Sequence, residues 1–92
     1  MARGDAPPAV EFATNDLLLR GIRVRYREAG SGPTVVLLHG LFADHRFWLP
    51  VAARLAPVAR VIVPDLPGAG GSEKPTRYPF TRDALADTVC DL

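Results

Sequence analysis

The run Val35-Val36-Leu37-Leu38 breaks directly into His39-Gly40 and then a loop. A short apolar run with β-branched residues, closed by glycine, predicts a strand buried on both faces. Such strands belong to parallel sheets, which carry their chemistry at the carboxyl ends of the strands. A second stretch repeats the design: Val61-Ile62-Val63 passes through Pro64 into Asp65-Leu66-Pro67-Gly68-Ala69-Gly70-Gly71-Ser72. Between the two, the apolar residues from Phe47 to Ala56 fall at helical spacing. Pro50 is acceptable only in a first helical turn, and Pro57 cannot continue a helix. The sequence therefore predicts a strand over 34–38, a turn over 44–48, a helix from Leu49 or Pro50 to Pro57, and a strand over 58–63. Strand, helix and strand, with a glycine-containing loop at each strand exit, make one βαβ unit.

The remaining segments fit around that unit. Leu17-Leu18-Leu19 followed by Gly21 predicts a short strand and a tight turn. Ile22, Val24 and Tyr26 alternate with Arg23, Arg25 and Arg27, the pattern of a strand with one solvated face. The arginines are expected to be simply that wet face. Residues 29–33 form a turn. A long loop covers 64–79. Thr81 is a suitable N-cap, and Asp83 complements the dipole in the first turn of a last helix. Leu85, Val89 and Leu92 continue that helix without a closing Gly, Asn or Pro, an unfinished pattern that predicts truncation. Residues 1–12 are expected to be a flexible arm, and residues 13–92 one domain.

Composition narrows the function classes. The chain has 92 residues, 48% of them hydrophobic, with a formal net charge of +1. That is globular rather than disordered, yet too short to cover both faces of a large parallel sheet. The near-neutral charge gives no basic footprint for nucleic acid. No apolar run approaches the roughly 20 residues of a membrane span, and residues 1–10 lack the apolar core of a secretory signal. The single cysteine, Cys90, permits no internal disulfide, which fits a cytoplasmic location; its place in the last helix suggests buried packing. The glycines of 68–71 fail the dinucleotide fingerprint, because position 73 is Glu73 and no helix starts there. No Gly precedes Lys74 as a P-loop would require. Two His and one Cys have no metal-ligand spacing. Neither cofactor nor metal is expected.

His39-Gly40 after an apolar strand, Trp48 shortly afterwards, and Asp65-Leu66-Pro67-Gly68-Ala69-Gly70-Gly71-Ser72 after the next strand resemble the amino-terminal part of an α/β-hydrolase. The resemblance runs from about Leu17 to the end. It implies an α/β fold, with antiparallel edge strands followed by the βαβ unit of a mostly parallel sheet. It also implies a nucleophile, an acid and a His in that chain order. The elbow G-x-S-x-G is absent: Ser31 lies between Ala29 and Pro33, and Ser72 has Lys74 where the second Gly belongs. All three triad members are thus expected beyond residue 92, and this chain alone is expected to be inactive.

By the same resemblance, the backbone N–H of Leu41, with Phe42 beside it, supplies one side of an oxyanion hole. Gly40 allows the backbone to turn there. His39 is implied to be structural, bonding nearby loop backbone, and not the catalytic base. Asp65, Gly68, Gly70 and Ser72 are implied to shape the loop. His45 is expected to be a solvent-exposed polar residue of its loop, or less simply to line the mouth of a site. Phe42 and Phe47 are candidates for a pocket wall, and Trp48 for packing. The implied activity is hydrolysis of an ester or similar acyl or C–C bond in a small-molecule substrate, in the esterase or lipase manner. One alternative is a haloalkane dehalogenase or epoxide hydrolase type with an aspartate nucleophile. Another is a non-catalytic interaction module on this scaffold. The oligomeric state is left open.

Overall fold

The computed structural model describes residues 10–40, 43–74 and 82–91. Strands β1 (Ala13–Leu19) and β2 (Ile22–Ala29) form a hairpin, and β3 (Thr34–Val36) follows. A 3₁₀ turn (His45–Phe47), helix α1 (Leu49–Leu55), strand β4 (Arg60–Pro64) and helix α2 (Arg82–Cys90) complete the order. The sheet runs β1-β2-β4-β3. The β1–β2 and β2–β4 pairs are antiparallel, and β3–β4 is parallel, with Val35 opposite Val61. The β3–α1–β4 segment is the βαβ unit, beside an antiparallel edge.

Local chemistry explains the element ends. Arg20 (φ 52°) and Gly21 (φ 79°) both take positive φ in the two-residue β1–β2 turn, as a tight right-twisted hairpin requires. Asp44 caps the 3₁₀ turn by accepting from the Arg46 N–H at 2.9 Å. Pro50 falls in the first turn of α1, where no intrahelical N–H is needed. Gly30 (φ 84°) brings its Cα against the Ala56 and Ala59 carbonyls, so closely that any Cβ would lie 2.1 Å from the Ala59 oxygen.

The two faces of the sheet differ. Ala52, Ala59, Val61 and Val63 form a buried cluster beneath α1, joined by Phe12, Val35, Leu37, Trp48 and Leu55. On the opposite face Leu19, Ile22 and Val24 are buried, but Val36 is 39% and Leu38 40% exposed. The expectation of a 34–38 strand buried on both faces is corrected here. The strand stops at Val36, lies at the sheet edge, and is covered only on its α1 side. A shallow cavity of about 210 Å³ on the open face is lined by Leu17, Tyr26, Thr34, Val36, Arg60 and Ile62. Cys90 is exposed, contrary to the packing expected of it. Among the described residues no helix is long and apolar enough to cross a membrane.

Candidate active-site scaffold

Strand β4 delivers Asp65 to the loop at its carboxyl end, and there the carboxylate is completely buried. An isolated buried carboxylate is strongly disfavoured unless donors surround it. Here they do. Oδ1 accepts from the His45 backbone N–H at 2.6 Å and from the His45 ring Nδ1 at 2.9 Å. Oδ2 accepts from the Gly71 N–H at 3.0 Å and lies 3.1 Å from His45 Nδ1. The Arg27 guanidinium stands 3.5 Å from Oδ2, close enough to act as a charge but outside hydrogen-bond geometry. Burial alone would raise the Asp65 pKa. The N–H groups of Gly71 and His45, followed by the His45 ring, outweigh it and hold the carboxyl below its ordinary value.

The glycine-rich loop closes around this carboxylate. Gly70 takes φ +48°, and a Cβ there would lie 2.4 Å from Asp65 Oδ2. Ser72 is buried and uses both capacities of its hydroxyl. It donates to the Asp65 carbonyl and accepts the Arg25 N–H at 2.7 Å. The loop then runs along β2: Asp65 N–H donates to Arg25 O, and Glu73 N–H to Arg23 O, each at 2.8 Å. The Glu73 carboxylate accepts the Arg23 N–H at 3.0 Å.

The arginine face of β2 is therefore not the plain solvated face expected. Arg23 Nη1 donates to the Gly71 carbonyl at 2.8 Å, Arg25 grips Asp16 through two bonds of 2.8 and 3.1 Å, and Arg27 adjoins Asp65. The reason is the loop, which folds back over that face and supplies carbonyls and carboxylates that sequence alternation cannot reveal.

His39 and His45 tie the neighbouring loop to the same place. His39 Nε2 accepts the Leu66 N–H at 3.0 Å. Nε2 therefore carries the lone pair, and Nδ1–H donates to the Gly40 carbonyl at 2.9 Å. That carbonyl also accepts the Ala43 N–H at 3.2 Å. His45 corrects the expectation of a solvent-exposed residue: its side chain is only 12% exposed, because the 3₁₀ turn points it at Asp65. The sequence signal for this was thin, a His one residue after a capping Asp. Phe47 is 66% exposed and meets Trp48 edge to face at 5.1 Å, with the Trp48 ring on the core. Leu41 and Phe42 lie outside the described residues.

Asp44, His45 and Asp65 bring ligand atoms within 4.8 Å of one another, but the donor set does not suit a cation. Both Asp65 oxygens already accept hydrogen bonds, His45 Nδ1 carries the proton it gives to Asp65, and Asp44 holds Arg46 at 2.7 Å. Arg27 adds a positive charge beside the same carboxylate. The cluster is a hydrogen-bonded support. Asp65 is fully buried with both its oxygens accepting hydrogen bonds, and the buried Ser72 hydroxyl is engaged as both donor and acceptor.

A mixed sheet with a βαβ crossover beside an antiparallel edge is the architecture of the amino-terminal portion of an α/β-hydrolase fold. The alpha/beta hydrolase fold family matches residues 33–91, and the chain belongs to it. It is 41% identical over 90 residues, 98% of its length, to an uncharacterised protein of Mycobacterium tuberculosis. It is 42% identical over 84 residues, 91% of its length, to a soluble epoxide hydrolase of a Corynebacterium strain. The structure of the epoxide hydrolase CorEH superposes with a TM-score of 0.83 and 38% identity over 88% of this chain. The chain spans 25% of the first relative, 29% of the second and 28% of the solved structure.

Proposed function

We propose that this chain supplies one half of the oxyanion hole of a small-molecule hydrolase, through the backbone N–H of Leu41 and, beside it, Phe42. The nucleophile, acid and catalytic His belong to polypeptide beyond residue 92. The observation that carries this reading is the anchoring of the strand exit. His39 and Asp65 hold Gly40 and His45 on either side of the proposed donors, as preorganised stabilisation of developing negative charge requires.

The likeness to relatives named as epoxide hydrolases, in sequence and in structure, favours an epoxide substrate and an aspartate nucleophile over the ester and serine expected from the motifs alone. The oxyanion turn suits either chemistry. A serine attacking an ester makes a tetrahedral oxyanion directly. An aspartate opening an epoxide makes an alkyl ester on the enzyme, and water attacking that ester makes the same kind of oxyanion. No nucleic-acid partner enters either scheme, and a cytoplasmic setting suits a chain with a single, unpaired cysteine.

The test is turnover of styrene oxide and of an activated phenyl ester by the full-length protein. The Asp or Ser found at its elbow is then replaced by Asn or Ala. Epoxide turnover abolished by the Asp→Asn change supports the reading. Ester turnover alone, abolished by Ser→Ala, returns the assignment to the esterase class. Turnover of neither substrate, and of no haloalkane, would refute the proposed hydrolase activity and favour an interaction module on this scaffold.

A further inference from the structure

The segment from residue 39 to residue 45 is held at each end by an imidazole, and the two imidazoles land on consecutive residues of the facing loop. At the upstream end His39 Nε2 accepts the Leu66 N–H at 3.0 Å. At the downstream end His45 gives both its backbone N–H and its ring Nδ1–H to Asp65, at 2.6 and 2.9 Å. The facing residues are themselves immobilised. Asp65 is bonded through its N–H to β2, through its carbonyl to Ser72 and through its side chain to Gly71.

The two pins have opposite polarity. His39 works as an acceptor toward a backbone N–H. His45 works as a donor toward an ionised carboxylate, and bonds to ionised partners are the stronger kind. The downstream pin is thus charge-assisted and doubled, whereas the upstream pin is a single neutral bond. Removing the His45 ring would leave a fully buried carboxylate with one donor fewer and the 3₁₀ turn with one attachment fewer.

We propose that His45 is a positioning residue: through Asp65 it fixes the downstream end of the oxyanion segment. This rests on the function proposed above. His45 itself touches no substrate. Its ring acts on the reaction only through the placement of backbone donors that lie between the two pins in sequence. Misplacement of a reacting geometry by about 1 Å can reduce a rate about 100-fold.

Two measurements on the full-length protein test this. The first is the nitrogen spectrum of the imidazoles, which does not depend on activity. Both His39 and His45 should show the Nδ1–H tautomer, and the His45 Nδ1 proton should move upfield in Asp65→Asn. An Nε2–H tautomer at His45 would overturn the proposal. The second is kinetic. His45→Leu should lower kcat by about 10- to 100-fold while KM stays within about twofold, the signature of an interaction made in the transition state. His45→Asn should recover most of the rate, because its amide N–H can occupy the place of Nδ1–H. Equal losses in Leu and Asn variants, or a loss carried by KM, would overturn the positioning role. If the unmodified protein turns over no epoxide, ester or haloalkane, the hydrolase reading and the positioning role fall together. Intact Nδ1–H signals would then show that the pins themselves are sound.

Discussion

Replacing Gly70 by alanine should be far more damaging than replacing Gly21 by alanine, although both glycines have positive φ. At Gly21 (φ +79°) an added Cβ meets nothing within 4 Å. The penalty there is conformational, about 1–2 kcal/mol for an L-residue in the left-handed region. At Gly70 (φ +48°) the Cβ would lie 2.4 Å from Asp65 Oδ2, 2.5 Å from its Cγ and 2.8 Å from Oδ1. The carboxylate cannot retreat, because its oxygens are committed to His45 and Gly71. Overpacking of this kind adds about 1–3 kcal/mol, and a displaced hydrogen bond to a charged group adds about 1.5–3 kcal/mol more. Alanine also restricts the unfolded chain, by about 0.4–1 kcal/mol, but equally in both variants, so this cancels in the difference. The expected gap is therefore at least about 2 kcal/mol. Urea titration followed by far-ultraviolet circular dichroism measures it. Equal losses in the two variants would refute the close packing of the loop around Asp65.

Ser72→Ala should destabilise by about 1–3 kcal/mol, because it strips the acceptor from the Arg25 N–H; where the elbow residue is Ser, fluorophosphonate labelling of the full-length protein should be unchanged, and where it is Asp no labelling is expected, so labelling that disappears in Ser72→Ala would make Ser72 a nucleophile. Stability should fall on acidification. The Asp65 carboxyl is held below its ordinary value in the fold, so its contribution is present above the unfolded value of about 3.9 and is lost as pH falls through the folded value. Urea midpoints measured from neutral pH downward should show that slope, and Asp65→Asn should flatten it; an unchanged acid limb in that variant would contradict the assignment. Leu41→Pro, which removes the proposed donor N–H, should reduce kcat of the full-length protein by about 10²–10³, provided circular dichroism shows the fold retained; undiminished kcat would exclude Leu41.

The βαβ unit was legible because its signals are local. Apolar runs end in glycine, Pro50 and Pro57 bracket a helix of seven residues, Leu49–Leu55, and alternation marks β2. The family was legible because two motifs occur in order at a fitting separation. Exposure was less legible. Val36 and Leu38 have strand-core identities, but whether both faces of β3 are covered depends on neighbours far away in sequence. The same holds for Cys90, whose helical position says nothing about what lies opposite it.

The support of the site was half legible for a related reason. Motifs name residues at fixed spacing, so the loop containing Asp65, Gly70 and Ser72 could be marked from sequence. The residues it closes on could not. His45 lies 20 positions before Asp65, and Arg25 lies 47 positions before Ser72. A buried carboxylate nevertheless sets a condition: it needs donors, and they must come from whatever elements flank the end of β4. The 3₁₀ turn offers a backbone N–H and an imidazole, the glycine-rich loop offers the Gly71 N–H, and β2 offers a guanidinium charge. Two segments supply the hydrogen-bond donors and a third the charge, so satisfying one carboxylate joins three segments at the carboxyl end of β4. The 3₁₀ turn at His45 and the glycine-rich loop at Gly71 are thus tied together by the electrostatic demand of Asp65.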